Sequence, residues 1–342
     1  MKKNFLTLSV VAGIIIAALS ACVNAGPDVI GGLLSGDDPQ ANDAVRNLRL
    51  VSVDRIFYEY DESGRLTKII DNDDDYEASA DNNFKIELKD QYDDGISETT
   101  VSFGFQNNRI QSISSNGTYR SENEKYTIGG SASLSYNDIG QLSLVSCSLE
   151  GHDSDGYSAT GKLSMTLNYD SMNRLVSAEG ITTGTETYGG KTSKVSLKRR
   201  IEYKYSPGWD NTFYQYTPNL AGDLFGDNLV VLTNERIGFN AFAYIGLLGK
   251  ASSAVPSSAV ESVEEDYGGK VSTRKYTNKY SCSFNENDTI SSADDCTYWY
   301  TRVGTRGEMP AAESNDGPAK DGKTYLRLFD RLRANFSATA KQ

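Results

Sequence analysis

Histidine is almost missing from this chain: His152 stands alone among 342 residues. That leaves little room for His-based metal sites or for triads that need an imidazole. Basic residues are the minority, 34 against 46 acidic ones. An acidic surface excludes nucleic acid as a partner, because phosphate binding needs clustered Lys and Arg. Proline, tryptophan and cysteine are scarce too, at 7, 2 and 4 residues. No nucleotide cradle is present: in Gly246-Leu247-Leu248-Gly249-Lys250 the glycines are too close together for a P-loop. Neither a cofactor motif nor a spaced pair of catalytic carboxylates stands out, so the expectation is a protein without cofactor, metal or catalytic residues.

Apolar runs long enough to cross a bilayer as a helix are also lacking. The longest, from Phe5 to Leu19, follows Lys2 and Lys3 and has the length of a signal-peptide core. It ends in Leu19-Ser20-Ala21-Cys22, which resembles the lipobox of bacterial lipoproteins. The resemblance implies cleavage before Cys22 and lipidation of its thiol, and several acyl chains make such an anchor stable. Residue 23 is valine, so the Asp that retains enteric-type lipoproteins in the inner membrane is absent. An outer-membrane destination is expected, periplasmic or surface-facing. Removing Lys2 and Lys3 leaves 32 basic against 46 acidic residues, a mature charge of −14.

What the chain has in quantity is tyrosine (21), phenylalanine (12) and glycine (31), a composition that favours β structure. Five segments share an aromatic, a polar turn and an aliphatic return. They start at Tyr60, Phe105, Tyr136, Tyr169 and Phe284, and return at Leu66, Ile110, Leu142, Leu175 and Ile290. Gly64, Gly140, Asn173 and Asp288 share one slot before the return, where a left-handed backbone is wanted. Their flanks alternate: Leu163, Met165, Leu167 and Tyr169 against Ser164, Thr166 and Asn168. This is the period-two mark of half-buried antiparallel strands. Spacings of 31 and 33 residues from Phe105 to Tyr136 to Tyr169 suit about two hairpins per unit.

These segments resemble the repeats of a domain family of unknown function in Bacteroidetes-type lipoproteins, described as having a porin-like β fold. They are distantly similar to the tyrosine-aspartate repeats of large secreted bacterial proteins. Gly246 to Pro256 is similar to a Gly-x-x-Gly-Lys-x-Ser stretch that follows the middle strands of that family. The matches span residues 50–303. The resemblance implies a fold and brings no activity or catalytic residue with it.

The expected fold is all-β: a large antiparallel meander of hairpins, barrel-like or strongly curved. A short helical or irregular insertion is placed within Asn219 to Gly249. The expected organisation is a signal peptide at 1–21, the lipidated Cys22 and tether at 22–49, and a β-meander at 50–303. A linker at 304–323 and an amphipathic segment at 324–342 follow, the latter with Leu326, Phe329, Leu332 and Phe336 at helical spacing. A lipobox and an end in Ala340-Lys341-Gln342 favour a water-soluble body over an integral barrel.

Cys147, Cys282 and Cys296 remain for an oxidising compartment, with their pairing open. With Phe284 opposite Ile290, regular register sets Cys282 against Ser292 and leaves Cys296 roughly 13 Å further along, too far for a bridge unless a bulge intervenes. Asp71, Asp73 and Asp75 alternate like a calcium loop, but Tyr76 stands where glycine is needed and Asn82 where a bidentate Glu belongs. They read as a solvated hairpin tip, as do Asp153 and Asp155. The best binding hint is aromatic: Trp209, Tyr214 and Tyr216, with Tyr298, Trp299 and Tyr300, offer flat faces suited to sugar rings, or else fill a core. The functional expectation is a non-catalytic, membrane-anchored envelope lipoprotein that scaffolds or binds, with polysaccharide or an outer-membrane protein as partner. A surface glycan-binding lipoprotein ranks second and a glycoside hydrolase third.

Overall fold

The computed structural model describes residues 48–53, 56–60, 66–71, 76–79, 85–92, 95–107, 109–121, 125–211, 216, 218, 239–286, 289–293 and 296–302. Cys22, the tether, Tyr214, the 304–323 linker and the 324–342 segment lie outside them.

Seventeen strands and one six-residue helix make up the described chain. A ten-stranded sheet takes its strands in strict chain order: β5 (Lys85–Tyr92), β6 (Gly95–Gln106), β7 (Arg109–Ser121), β8 (Lys125–Tyr136) and β9 (Leu142–Asp153). It continues through β10 (Ser158–Tyr169), β11 (Leu175–Tyr188), β12 (Lys191–Lys204), β13 (Ser258–Tyr267) and β14 (Lys270–Lys279). A seven-stranded sheet joins the two ends of the described chain. It holds β1 (Leu48–Val53), β2 (Ile56–Tyr60), β3 (Leu66–Asp71) and β4 (Tyr76–Ser79), and β15 (Cys282–Phe284), β16 (Ile290–Ala293) and β17 (Cys296–Arg302), in the order β15-β16-β17-β1-β2-β3-β4. All pairs are antiparallel, and β1 pairs with β17, so the order is that of a ring opened at two seams, β4/β5 and β14/β15. The expected all-β meander of hairpins is what forms, as two sheets that do not close by hydrogen bonding among the described residues.

The alternation dictates which face is buried. On β10 Leu163, Met165 and Leu167 are in the core while Thr166 and Asn168 are exposed. The helix α1 (Phe239–Tyr244) and the turn after it fill the inward side: Phe242 and Leu247 are buried, and the Phe242 ring lies 4.9 Å from that of Phe103. This is the described part of the insertion expected within Asn219 to Gly249. Tyr244 meets Tyr298 edge-on at 5.9 Å, which links the insertion to the seven-stranded sheet.

Each repeat carries the same defect. The register slips by one residue at Tyr60, Phe105, Tyr136, Tyr169 and Phe284, the five aromatics that open the sequence segments. An extra residue after the aliphatic return makes each slip a β-bulge, which sharpens local twist. The left-handed slot is confirmed where it is described, at Gly140 (φ 84) and Asn173 (φ 63).

The bulges allow successive units to interlock. The Tyr136 hydroxyl donates to the Ile110 carbonyl, Tyr169 to Leu142 at 3.0 Å and Tyr205 to Leu175 at 2.6 Å. Every acceptor is the return residue of the preceding unit. Burial pushes these phenols up, Tyr205 to about 12, so they remain donors. Arg109 stacks over Tyr136 and Arg174 over Tyr205, at 5.5 and 5.3 Å from the ring centres.

Gly246 to Pro256 crosses the ends of these hairpins as a strap. The Leu247 carbonyl accepts from the Ile110 N–H, the Lys250 N–H donates to Gly140, and those of Ser253 and Val255 donate to Asn173 and Trp209. Gln141, fully buried, donates through Nε2 to Asn173 and Ala251, both at 3.0 Å. The Gly-x-x-Gly-Lys-x-Ser stretch is therefore architectural.

The bulge at Phe284 corrects one register expectation. Phe284 does face Ile290, but the extra Ser291 moves Cys282 opposite Ala293 instead of Ser292. Cys296 faces Ala293 from the other side. Two strand spacings, roughly 10 Å, then separate Cys282 from Cys296, beyond the span of a disulfide. Cys282 is a free thiol, as is buried Cys147, which burial pushes up to about 12.

Candidate functional site

The aromatic candidates do not assemble into one platform among the described residues. Tyr216 and Tyr298 are core residues, 3% and 4% exposed, so neither offers a ring face to solvent. Trp209 packs half-buried against the core at the end of the strap. Trp299 and Tyr300 are placed along β17, opposite Ser52 and Leu50 of β1. Their side chains, like Tyr214 as a whole, fall outside the described residues.

Acidic residues have moved inward near the β14 side of the sheet. Glu186 accepts a hydrogen bond from the Tyr267 hydroxyl, Glu265 pairs with Arg274, and Glu261 lies 3.9 Å from Arg199. Burial raises the Glu261 carboxyl, against the pull of Arg199 and Arg274. Partners that matched make the cluster structural: a buried carboxylate needs a cation or donor beside it. Among the described residues no group of three or more His, Cys, Asp or Glu is placed to hold a metal. Asp153, one of the loop acids, turns back on its own hairpin and accepts from the N–H groups of Asp155 and Tyr157.

A concave polar surface lies on the opposite, solvent face. An open groove of ≈ 910 Å³ runs across β7 to β13. Its floor comes from the outward positions of the alternation, in two lateral rows fixed by register. One row runs Ser131, Ser148, Lys162, Thr183, Ser196 and Asp266; the other includes Glu150, Thr160, Thr185 and Lys194. Hydroxyls pair across strands, Ser131 with Ser148 and Thr160 with Thr185, both at 3.1 Å. Gly130, Gly161 and Gly184 also line the groove, through backbone: they fall in the inward row between the two, in register with buried Leu149 and Val195. Its two carboxylates, Glu150 on β9 and Asp266 on β13, are four strand spacings apart, roughly 19 Å. A hydrolytic pair needs about 5–10 Å, so these two acids cannot flank one glycosidic bond.

Sequence reasoning looked to aromatics and missed this groove. The signal was present as serine and threonine at alternate positions, such as Ser131-x-Ser133-x-Ser135 and Thr183-x-Thr185-x-Thr187. Read one strand at a time, that is only a solvated face. The groove emerges when seven strands are set in register.

No family model matches the chain, and no curated protein matches it. Among solved structures it is similar to a porin-like protein from Bacteroides vulgatus ATCC 8482. The identity is 16% and the TM-score 0.38, over 71% of this chain and 90% of that one. It is also similar to a porin-like protein from Bacteroides uniformis ATCC 8492, at 10% identity and TM-score 0.23, over 64% of this chain and 95% of that one.

Proposed function

We propose that this chain is a lipid-anchored protein of the bacterial outer membrane whose β body binds its ligand without transforming it. The observation that carries the binding role is the hydroxyl-floored groove. It offers short, fixed donors and acceptors in rows whose neighbours stand about 4.8 Å apart, the interstrand spacing. Such a surface suits a hydrated, hydroxyl-rich polymer, so polysaccharide is the ligand class it favours. Leu19-Ser20-Ala21-Cys22 supports the anchor, and lipid on Cys22 would hold the groove close to the membrane.

A glycan array probed with the purified chain tests the binding role. Saturable binding that Ser148→Arg and Thr185→Arg abolish, while Trp209→Ala leaves it intact, assigns the ligand to the groove. Loss with Trp209→Ala alone moves it to the aromatics. A blank array across neutral and acidic glycans removes the glycan reading and leaves scaffolding. The anchor has its own test: Cys22→Ser should abolish globomycin-sensitive processing, and unchanged processing would sink it.

A further inference from the structure

The last strand of the ten-stranded sheet, β14, pairs with β13 on one side, and no described strand pairs with it on the other. Nine of its ten residues are exposed, among them Val271 at 64% and Tyr276 at 42%. The next strand in the chain, β15, has only three residues and belongs to the other sheet, so most of this edge meets no strand among the described residues. A ten-residue edge of this kind is a template for strand addition.

Its free hydrogen-bonding groups can be named. Tyr267 pairs with Lys270 across the two-residue loop Gly268-Gly269, both glycines at positive φ (61 and 85). In such a hairpin the residues flanking the loop are a hydrogen-bonded pair. Alternation then turns the backbone groups of Lys270, Ser272, Arg274, Tyr276 and Asn278 toward β13. Val271, Thr273, Lys275 and Thr277 present theirs to the open side.

Charge selects what adds there. β14 carries Lys270, Arg274, Lys275 and Lys279 with no acid, in a chain whose net charge is −12. Its one existing neighbour, β13, carries Glu261, Glu264, Glu265 and Asp266 with no base. Arg274 is committed to Glu265, but Lys270, Lys275 and Lys279 make no ion pair among the described residues. A second copy is a poor occupant: the near-centred antiparallel registers that this alternation allows set Arg274 against Arg274 or Lys275 against Lys275, like charges directly opposite.

We propose that β14 is a docking edge for an acidic, extended segment of a partner polypeptide, which joins the ten-stranded sheet as an eleventh strand. Main-chain bonds to Val271, Thr273, Lys275 and Thr277 hold it, and the three lysines without an ion pair among the described residues choose it.

The probe is a labelled peptide with the β13 sequence, Ser-Ala-Val-Glu-Ser-Val-Glu-Glu-Asp-Tyr, titrated against the full chain in detergent by fluorescence anisotropy. Saturable binding is expected, weakening as salt rises. A peptide with every Glu and Asp replaced by Lys should bind at least about tenfold more weakly. Thr273→Pro removes an open-side N–H while sparing the β13 ladder, and it too should weaken binding by about tenfold or more. Should Thr273→Pro perturb folding, the same question is put to the peptide: N-methylation at alternate residues removes its donors and should abolish binding. Reversal with Lys270→Glu, Lys275→Glu and Lys279→Glu should transfer preference to the basic peptide. Absence of binding by the acidic peptide overturns the proposal. Binding untouched by N-methylation overturns it as well, since it would be attachment of charge alone, as to any polyanion or anionic membrane.

Discussion

At the scale of single residues, Asp170 explains why a polar residue must follow the aromatic of each repeat. Its Oδ1 accepts from the N–H groups of Met172 and Arg174, and its Oδ2 accepts from the Arg174 side chain at 2.8 and 2.7 Å. Asn137, in the same slot one unit earlier, accepts from the Gln141 N–H at 2.8 Å. Partial burial pushes the Asp170 carboxyl up, but the Arg174 and Met172 bonds outweigh it and hold it below the usual carboxylate range. A carboxylate depressed in the folded state adds stability that is fully present above its unfolded value, near pH 4. That stability is lost as pH falls through the lower folded value. Asp170→Asn should therefore lower the urea midpoint at neutral pH, and the gap to the parent should shrink below about pH 4. A gap that stays constant down to acid pH would mean the carboxylate charge contributes nothing to this turn.

At the scale of elements, the strap depends on one tight approach. Gly249 sits at φ 83 against the Gly140 carbonyl, and a Cβ there would collide with that oxygen and with the Tyr136 ring. Both a left-handed backbone and contact with main chain oppose any side chain. Gly249→Ala should cost about 2 kcal/mol or more in a urea titration. Gly156→Ala is the control: it carries the same strained φ of 84 but has nothing within 4 Å of the added methyl, so it should cost about 1 kcal/mol. Equal losses would show that backbone strain, and not the strap contact, sets the cost at Gly249. These elements also show what the sequence could and could not yield. Aromatic, turn and aliphatic return were readable because they recur at fixed spacing, and so was the glycine or asparagine slot. The bulge was not, because its extra residue, such as Ser143 or Val176, is unmarked in composition. Nor were the acceptors of Tyr136, Tyr169 and Tyr205, which lie 26, 27 and 30 residues away in the preceding unit. The groove escaped for the same reason: its members come from seven strands, and only register brings them together.

At the scale of the whole molecule, the two sheets differ in how far apart their chain segments lie. Within the ten-stranded sheet nearly every pair is a hairpin between consecutive strands, the exception being β12 with β13 across the strap and α1. The seven-stranded sheet needs both ends of the described chain: Leu48 meets Arg302 and Val53 meets Tyr298. No local pattern in the sequence announced that pairing. Closing so long a loop costs entropy before any contact rewards it, and non-local pairings form late. The hairpins of β6 to β11 should therefore gain protection first on refolding, and β1 and β17 last. Pulse-labelled hydrogen exchange followed by mass spectrometry reads this directly, since peptides covering 48–53 and 296–302 should stay exchangeable after 142–188 is protected. Leu50, Val53 and Tyr298 are buried by that final step, so an unpaired β1 leaves apolar surface in water until β17 arrives. Simultaneous protection of all three regions would instead make the ring a single cooperative unit, with β1 and β17 already in its folding nucleus.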